Sequence, residues 1–276
     1  MKRRNFKTPL LYGVILLYSL IYLTPFFWML ATSFKPLNEI GRLPITILPK
    51  NFTFENYLAT WSRVEIFRYF GNSLYLSFLA TLISLCIEII SAYSFSRFRF
   101  KGQNILLFVV LFTNAIPSLI LLVPFYDLLR MMNLINTHLG LLFIYTAASL
   151  PFGTWLLIGY FDQVPKELEE AAMVDGCSRL QTIFRVVVPV ALPGIIAVGI
   201  ITFVHWWGDF LFALTFLNDT KLYTLPLGVY AYQGIEWTHW GKLMAVATLL
   251  VLPALLIFIV FQKYIISGIV AGALKK

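Results

Sequence analysis

The chain has 276 residues, of which 59% are hydrophobic and 12% are charged, and its formal net charge at pH 7 is +8. This apolar fraction is well above that of a soluble domain, and the mean hydropathy of +0.81 excludes an ordinary soluble protein. The positive charge does not indicate nucleic acid binding, because the basic residues are spread over the segments between apolar blocks.

Six apolar blocks are long enough to cross a membrane, which takes about 20 residues of helix. Backbone groups in lipid must find hydrogen-bond partners within their own segment, so each block is predicted to be helical. We therefore expect an all-α polytopic membrane protein with a single transmembrane domain over residues 1–276. The six predicted spans are residues 10–32, 68–96, 104–126, 138–160, 189–214 and 240–263.

The first block follows a basic stretch, residues 2–7, and lacks the small-residue cleavage site of a signal peptide, so it is predicted to be retained as a span. With the N terminus inside, thirteen of the 21 Lys and Arg residues fall on inner segments and eight on outer segments. Inner segments are normally enriched in Lys and Arg. The chain is therefore expected to be a multi-pass protein of the plasma (inner) membrane with both termini in the cytoplasm.

Residues 33–67 form the longest outer segment. It contains Pro36, Pro44 and Pro49 together with several aromatic residues. We expect this segment to fold back on the membrane surface rather than to be disordered.

Glu88 is an acidic residue inside the second predicted span, toward its cytoplasmic side. Ionisable residues within spans are rare and are functional candidates by default. Two interpretations remain open, a structural role such as a hydrogen bond to a neighbouring span, or a role in transport. The structural role is favoured.

A charged island, residues 164–185, separates the fourth and fifth apolar blocks. Residues 166–175 are mostly good helix formers, and Gly176 follows where a helix would end in a left-handed residue. Ser178 with Gln181 three residues later forms a capping-box pattern that opens a second helix. The island is predicted to be a helix-turn-helix too polar to enter lipid. It is either an ordinary solvated loop or a surface for a partner.

The island contains Glu170-Ala171-Ala172, then three residues, Gly176, nine residues and Val186-Val187-Val188-Pro189. This spacing resembles the EAA loop of ABC-importer permeases, with Val in place of the usual Ile and Leu. Further stretches resemble the maltose-type carbohydrate permeases: Asn72–Leu74, Ala92–Phe100, Pro117–Phe125, Leu134–Gly140, Trp207–Leu214, Thr224–Val229 and Ser267–Lys276. The resemblance covers nearly the whole chain from residue 10 onward and indicates the shorter, six-span subunit of a heterodimer.

The resemblance implies a type I ABC importer permease fold in which residues 164–188, here named the coupling loop, contact an ATPase. The implied ATPase-coupling residues are Leu168, Glu170, Ala171, Ala172, Asp175 and Gly176. The sequence has no Walker A motif and no zinc-type histidine motif. We therefore expect no catalytic residue, metal or cofactor in this chain, with ATP and Mg bound by partner subunits.

The implied partners are a second homologous permease subunit, two cytoplasmic ATPase subunits, an extracellular or periplasmic solute-binding protein, and membrane lipid. The tail, residues 264–276, is expected to be cytoplasmic, and it resembles the tail that this subunit type inserts between the ATPase subunits.

A second intramembrane acid, Asp209, lies toward the outer end of the fifth block in a stretch that resembles the family's W-N-E-F sequence. Carboxylates accept hydrogen bonds from sugar hydroxyls, and aromatic faces cover the apolar face of a sugar ring. Asp209, Trp207 and His205 are therefore candidates for the translocation pathway. Alternatively, Asp209 reaches the outer membrane interface and has no such role.

The last outer segment, residues 215–239, is rich in aromatic residues. The membrane interface collects such residues in any case. In the resembled family this segment reaches toward the binding protein, so Tyr230, Tyr232 and Trp237 are predicted to contribute to docking.

Together these observations predict a permease subunit of a binding-protein-dependent ABC importer for a carbohydrate. Glycerol 3-phosphate or a polyol is an alternative solute, but no basic cluster in the outer halves of the spans indicates a phosphate. An ion-coupled secondary transporter is less well supported. It would require buried acid or histidine relays and usually internal repeats, and only Glu88 and Asp209 are available.

Overall fold

The computed structural model describes residues 7–61, 64–233 and 239–273, and within these residues the chain is helical without strands. The helices are α1 (Lys7–Ser33), α2 (Glu55–Trp61), α3 (Val64–Arg97), α4 (Gln103–Thr113), α5 (Ser118–Met131), α6 (His138–Phe161), α7 (Lys166–Val174), α8 (Arg179–Thr182), α9 (Val188–Trp207), α10 (Leu211–Phe216), α11 (Leu225–Gln233) and α12 (Trp240–Ala273). The all-α polytopic prediction is therefore confirmed.

Five of the described helical stretches are long and apolar enough to cross a membrane: Leu11–Ser33, Glu65–Arg97, His138–Phe161, Arg179–Trp207 and Trp240–Tyr264. The third predicted span, residues 104–126, is divided between α4 and α5, which meet at an angle of 99°. Pro117 lies at this break and has an extended ψ of 131°. A proline has no N–H group and cannot continue the hydrogen bonding of the preceding helix.

The loop helix α8 and the fifth span form one unbroken helical stretch, Arg179–Trp207. The predicted fifth span begins at Pro189, but the helix continues through this residue without a break. A short π-helical turn, Ile183–Val187, immediately precedes α9. Such a turn changes the hydrogen-bond register, and the proline then occupies the first turn of α9, where its missing N–H matters least.

The fifth span ends earlier than the predicted residue 214. Helix α9 ends at Trp207, and the short helix α10 begins only at Leu211. At the other end of the chain, α12 continues beyond the predicted span limit of 263 as far as Ala273. The first part of the predicted tail is therefore helical.

The described residues divide into two compact units, and the first is drawn from residues 1–67 and 229–252. The stretch of residues 33–57 in this unit is folded around Phe34, whose ring is 4.4 Å from that of Phe52 and 5.1 Å from that of Tyr57. The buried amide of Asn56 donates hydrogen bonds to the carbonyls of Ser33 and Lys35. These contacts make the 33–57 stretch an ordered, aromatic-centred element.

The second unit is drawn from residues 68–228 and 253–276 and contains two buried clusters. The first is centred on Tyr145 of α6 and Trp206 of α9, whose rings are stacked 4.2 Å apart. The second cluster includes Tyr93 of α3, Phe161 of α6 and Val187 before α9. It lies directly beneath the coupling loop, whereas the first adjoins the far end of the fifth span.

Candidate functional site

Helix α7 ends in a left-handed glycine, as the sequence predicted. Gly176 has a φ of +89°. Its N–H donates to the carbonyl of Met173, and the N–H of Cys177 donates to the carbonyl of Ala172. These two bonds form a Schellman motif, which closes a helix and reverses the chain. The tight turn between α7 and α8 therefore depends on a residue without a β-carbon.

The second loop helix begins with the predicted capping box. The amide of Ser178 donates to Oε1 of Gln181 at 2.8 Å, and the amide of Gln181 donates to Oγ of Ser178 at 3.4 Å. Both donors would otherwise lack a partner at the start of a helix. The helix-turn-helix interpretation of the island is therefore confirmed.

The predicted ATPase-coupling residues lie on the surface of the loop. Leu168, Glu170, Ala171, Asp175 and Gly176 are exposed and Ala172 is half-buried. The structure adds two strongly exposed apolar side chains, Val174 at 87% and Leu180 at 60%. The sequence signal for this exposed surface was the presence of two apolar residues within an otherwise polar island. An exposed apolar patch with a charged border is typical of a surface that binds another protein.

The opposite side of α7 contains a buried acid that the sequence analysis did not single out. Glu169 forms an ion pair with Arg97 of α3, with 2.5 Å between Oε1 and Nε, and the two side chains are only 6% and 7% exposed. The hydroxyl of Tyr93, one turn earlier on α3, donates to the second carboxylate oxygen at 2.9 Å. The sequence signal was the i, i+4 spacing of Tyr93 and Arg97, which places both on one face of a helix.

The guanidinium of Arg97 also reaches the end of α6. Its Nη2 donates to the carbonyls of Phe161 and Val164 at 2.9 and 2.8 Å, and its Nη1 donates to Oγ of Ser96 at 2.9 Å. Terminal carbonyls of a helix have no partner within that helix and favour a cation. Arg97 therefore joins the ends of α3, α6 and α7 at one point.

At the far end of the fifth span, Asp209 is held by three hydrogen bonds. Its Oδ2 accepts from the hydroxyl of Tyr145 at 2.7 Å and from the amide of Ala213 at 3.1 Å, and its Oδ1 accepts from the amide of Phe212 at 3.4 Å. Asp209, one residue before the N-cap position at Phe210, thus caps two amides in the first turn of α10, which would otherwise have no partner within the helix.

The other two pathway candidates lie in different surroundings. Trp207 is 2% exposed and packs against Phe70 and Phe203 at centroid distances of 5.3 and 6.0 Å. His205 is exposed, with its ring edge-on to Trp206 at 4.5 Å. Asp209 is half-buried. The structure therefore does not gather the three side chains on one open face, and their assignment to a pathway stays a prediction.

Of the predicted docking residues, Tyr230 is 55% exposed. The side chain of Tyr232 and the whole of Trp237 lie outside the described residues. Their contribution to docking stays a prediction.

Residues 217–225 of the second unit are held in place by two polar side chains of α3 that were not among the predicted site residues. Asn72 donates to the carbonyls of Lys221 and Tyr223, and Oγ of Ser73 accepts from the amide of Leu225.

Within the described part of the chain, Glu88 does not make the hydrogen bond to a neighbouring span that exemplified its structural interpretation. Its side chain is fully buried, and among the described residues neither carboxyl oxygen has a hydrogen-bond partner. The carboxyl group lies against Gly153 of α6, where an added β-carbon would be 2.2 Å from it. The glycine therefore makes room for the acid at this helix crossing.

Comparison with known proteins gives a consistent result. Residues 84–270 match the family described as binding-protein-dependent transport system inner membrane component. The chain is 36% identical to the sulfoquinovosyl glycerol transport system permease protein SmoH of Agrobacterium fabrum, over 92% of this chain and 89% of that protein. It is 34% identical to the trehalose/maltose transport system permease protein MalG of Thermococcus litoralis, over 96% of each.

Among solved structures, the fold is similar to a chain of a bacterial ABC transporter involved in the import of the acidic polysaccharide alginate. The TM-score is 0.80 at 21% identity, and the match covers 96% of this chain and 99% of that one.

Proposed function

The chain belongs to the family of inner membrane components of binding-protein-dependent transport systems, and on this basis we propose that it is the permease subunit of an ABC importer for a carbohydrate. The observation that supports coupling is the loop between α6 and α9. Its inner face is bonded to α3, while its outer face presents Glu170, Ala171 and two apolar side chains. A protein surface of this kind suits a partner better than solvent alone.

The proposed mechanism is alternating access driven by separate ATPase subunits. ATP closes two such subunits, whose clefts hold α7 of this chain and the equivalent helix of a second permease subunit. The membrane helices then open outward, where a loaded solute-binding protein delivers its solute, and hydrolysis resets the cycle. The chain itself is a non-catalytic subunit that transmits motion and forms half of the pathway.

The proposed orientation places both termini and the coupling loop in the cytoplasm. This follows from the distribution of Lys and Arg over the segments between spans. The binding protein would then dock at the opposite face, near Tyr230, Tyr232 and Trp237. Asp209 lies just beyond the end of the fifth span nearer that face, where its carboxylate would exchange its hydrogen bonds with solute hydroxyls.

The carbohydrate assignment is supported by the relatives named as permease proteins for sulfoquinovosyl glycerol and for trehalose and maltose. Glycerol 3-phosphate or a polyol remains the second candidate solute.

The proposal is tested by transport in proteoliposomes that contain the chain with its co-purified permease, ATPase and binding-protein partners. We expect ATP-dependent accumulation of at least one labelled solute from a panel of maltose, trehalose, raffinose and glycerol 3-phosphate. The same vesicles with an ATPase subunit that cannot hydrolyse ATP should accumulate none. Accumulation that needs no ATP and follows a proton or sodium gradient would contradict the proposal.

A further inference from the structure

We propose that Arg97 is the positioning residue that makes α7 move together with α3, so that motion imposed on the coupling loop reaches the second membrane span directly. This inference rests on the proposed function, because it assumes that an ATPase acts on α7. It adds the physical route by which that action enters the membrane part of the chain.

The covalent connection alone gives α7 little control over the spans. Only residues 162–165 separate the end of α6 from the start of α7. On the other side, the left-handed turn at Gly176 leads to α8. A short linker and a turn can swing without displacing the helices that they join. A rigid response therefore needs a non-covalent tie between α7 and a span.

The cluster around Arg97 supplies that tie from one helix face. Arg97 and Tyr93 are one turn apart on α3, and each donates to a different oxygen of the Glu169 carboxylate. Two donors on one carboxylate fix its orientation as well as its position. Glu169 therefore cannot rotate or slide along α3 without breaking a bond, and α7 is held in a single register.

The same guanidinium fixes the linker. Its bonds to the carbonyls of Phe161 and Val164 hold both ends of the turn out of α6. A neighbouring bond from Ser96 to the carboxylate of Asp162, 2.7 Å long, acts in the same place. The linker is thus hydrogen-bonded to α3 at several points. These bonds restrict the motion of α7 relative to α6.

Arginine is the side chain that this geometry requires. Three nitrogens donate in three directions, to a carboxylate, to a hydroxyl and to two carbonyls. A lysine ammonium has the same charge but a single nitrogen and a flexible stem, so it cannot hold these acceptors at once. Arg97 also lies in the last turn of α3, where a cation is favoured by the helix dipole.

The alternative is that the cluster only helps the chain to fold. The two roles predict different results when a conservative substitution weakens the cluster. If the cluster positions α7, an assembled transporter with a weakened cluster still hydrolyses ATP, but hydrolysis no longer responds to the binding protein. If it only stabilises the fold, less transporter is recovered and each assembled molecule works normally.

The experiment compares Arg97→Lys, Glu169→Gln and Tyr93→Phe in the full transporter, with Arg99→Lys as the matched control. Arg99 is exposed and lies two residues after Arg97 in the sequence. The measurements are the recovery of the assembled complex, ATPase activity with and without loaded binding protein, and solute accumulated per ATP hydrolysed. We expect solute accumulated per ATP to fall about tenfold in Arg97→Lys, within the usual range for coupling between sites.

Glu169→Gln should behave like Arg97→Lys, and Tyr93→Phe should have a smaller effect, because one donor to the carboxylate remains. Recovery of the complex and the behaviour of Arg99→Lys should match the wild type. Unchanged solute accumulation per ATP in Arg97→Lys and Glu169→Gln would overturn the inference. Failure of both variants to assemble would also overturn it, because the cluster would then be a folding element.

A cross-link provides a test that leaves Arg97, Glu169 and Tyr93 in place. Cysteines at Ser96 and Asp162, in a background without Cys86 and Cys177, can be oxidised to join α3 to the linker. If α3 and the loop move as one body, transport should survive the cross-link, whereas arrest of transport on oxidation and recovery on reduction would overturn the inference. Should Gly176→Leu uncouple the transporter while the Arg97 variants do not, the proposed function stands and only this inference fails.

Discussion

Near each end of the fifth span, a carboxylate accepts a hydrogen bond from a tyrosine hydroxyl. The other partners of the two carboxylates differ. At the coupling loop, Glu169 accepts from Tyr93 and pairs with the cation of Arg97. At the far end, Asp209 accepts from Tyr145 and from two backbone amides, and no cation is among its hydrogen-bond donors in the described part of the chain.

The difference shows what each end can do. A buried ion pair is costly to open, because each charge left alone would be desolvated. Three neutral hydrogen bonds to a half-buried carboxylate can be exchanged for others, one at a time, at much lower cost. Under the proposed function, this difference favours rigid transmission of motion at the coupling loop and exchange of hydrogen bonds with a polar solute at Asp209.

The largest expected effect tests the rigid end. Gly176→Leu places a side chain on a residue with a φ of +89°, at a cost of about 1–2 kcal/mol. The turn between α7 and α8 should distort and uptake should be lost, while the spans still insert. Solute-stimulated ATPase activity and uptake are the measurements, and Gly159→Ala is the control, because an added β-carbon there has nothing within 4 Å. Wild-type uptake in Gly176→Leu would remove the coupling assignment.

This turn also shows what sequence reasoning could reach. Gly176, Ser178 and Gln181 were predicted correctly because a helix end and a capping box are determined by residues close in sequence. The pairing of Arg97 with Glu169 joins residues 72 apart. No local pattern distinguishes Glu169 from its exposed neighbour Glu170, so only the three-dimensional fold identifies it.

The predicted boundaries of the fifth span were wrong for a related reason. Hydropathy measures how apolar a segment is, and residues 189–214 are apolar on average despite His205 and Asp209. The break after Trp207 depends on Asp209 capping α10, and the continuity through Pro189 depends on the π-helical turn before it. Both features concern hydrogen-bond register, which an apolar average does not report.

The next effect tests the exchangeable end. Asp209→Ala removes the cap of α10, a change that costs about 0.5–2 kcal/mol at helix N termini. If the carboxylate also lines the pathway, uptake should fall several-fold more than the recovery of the complex. Tyr145→Phe is the matched control, because it removes one hydrogen bond and leaves the carboxylate in place. Equal losses of uptake and of complex in Asp209→Ala would make Asp209 a structural cap only.

Thiol labelling tests directly whether residue 209 lines the pathway. A cysteine introduced by Asp209→Cys, in a background without Cys86 and Cys177, should react from outside with a membrane-impermeant thiol reagent. Excess transported sugar should slow the reaction. Labelling that ignores both sugar and ATP state would exclude Asp209 from the pathway.

A smaller effect is expected at Glu88. Unlike Glu169 and Asp209, it has neither a cation nor a hydrogen-bond donor at its carboxyl group among the described residues. Gly153→Ala would push a β-carbon into its carboxyl group, and overpacking of this kind costs about 1–3 kcal/mol. Glu88→Ala should relieve the clash, so the double variant should be more stable than Gly153→Ala alone. Thermal stability of the detergent-solubilised protein measures this. Additive effects of the two changes would show that they do not share the same space.

The smallest effect concerns Glu39, which extends the comparison to a carboxylate outside the spans. It accepts hydrogen bonds from the amides of Lys50 and Asn51 and from the hydroxyl of Thr46, so it is held by neutral donors, as Asp209 is. The hydrogen bond from Lys50, followed by that from Thr46, lowers the pKa of Glu39 below its ordinary value. A lowered pKa means that the folded loop favours the ionised form.

The sign of the pH dependence follows from this direction. The contribution of Glu39 is fully present above the ordinary glutamate pKa and is lost as the pH falls through the lowered pKa of the folded loop. Amide hydrogen exchange at Lys50 and Asn51, corrected for the intrinsic effect of pH, should therefore lose protection in acid. Glu39→Gln should show weaker protection with no dependence on pH in this range. Protection that stays constant in the wild type would show that these amides do not depend on the charge of Glu39, and the analogy between Glu39 and Asp209 would fail with it.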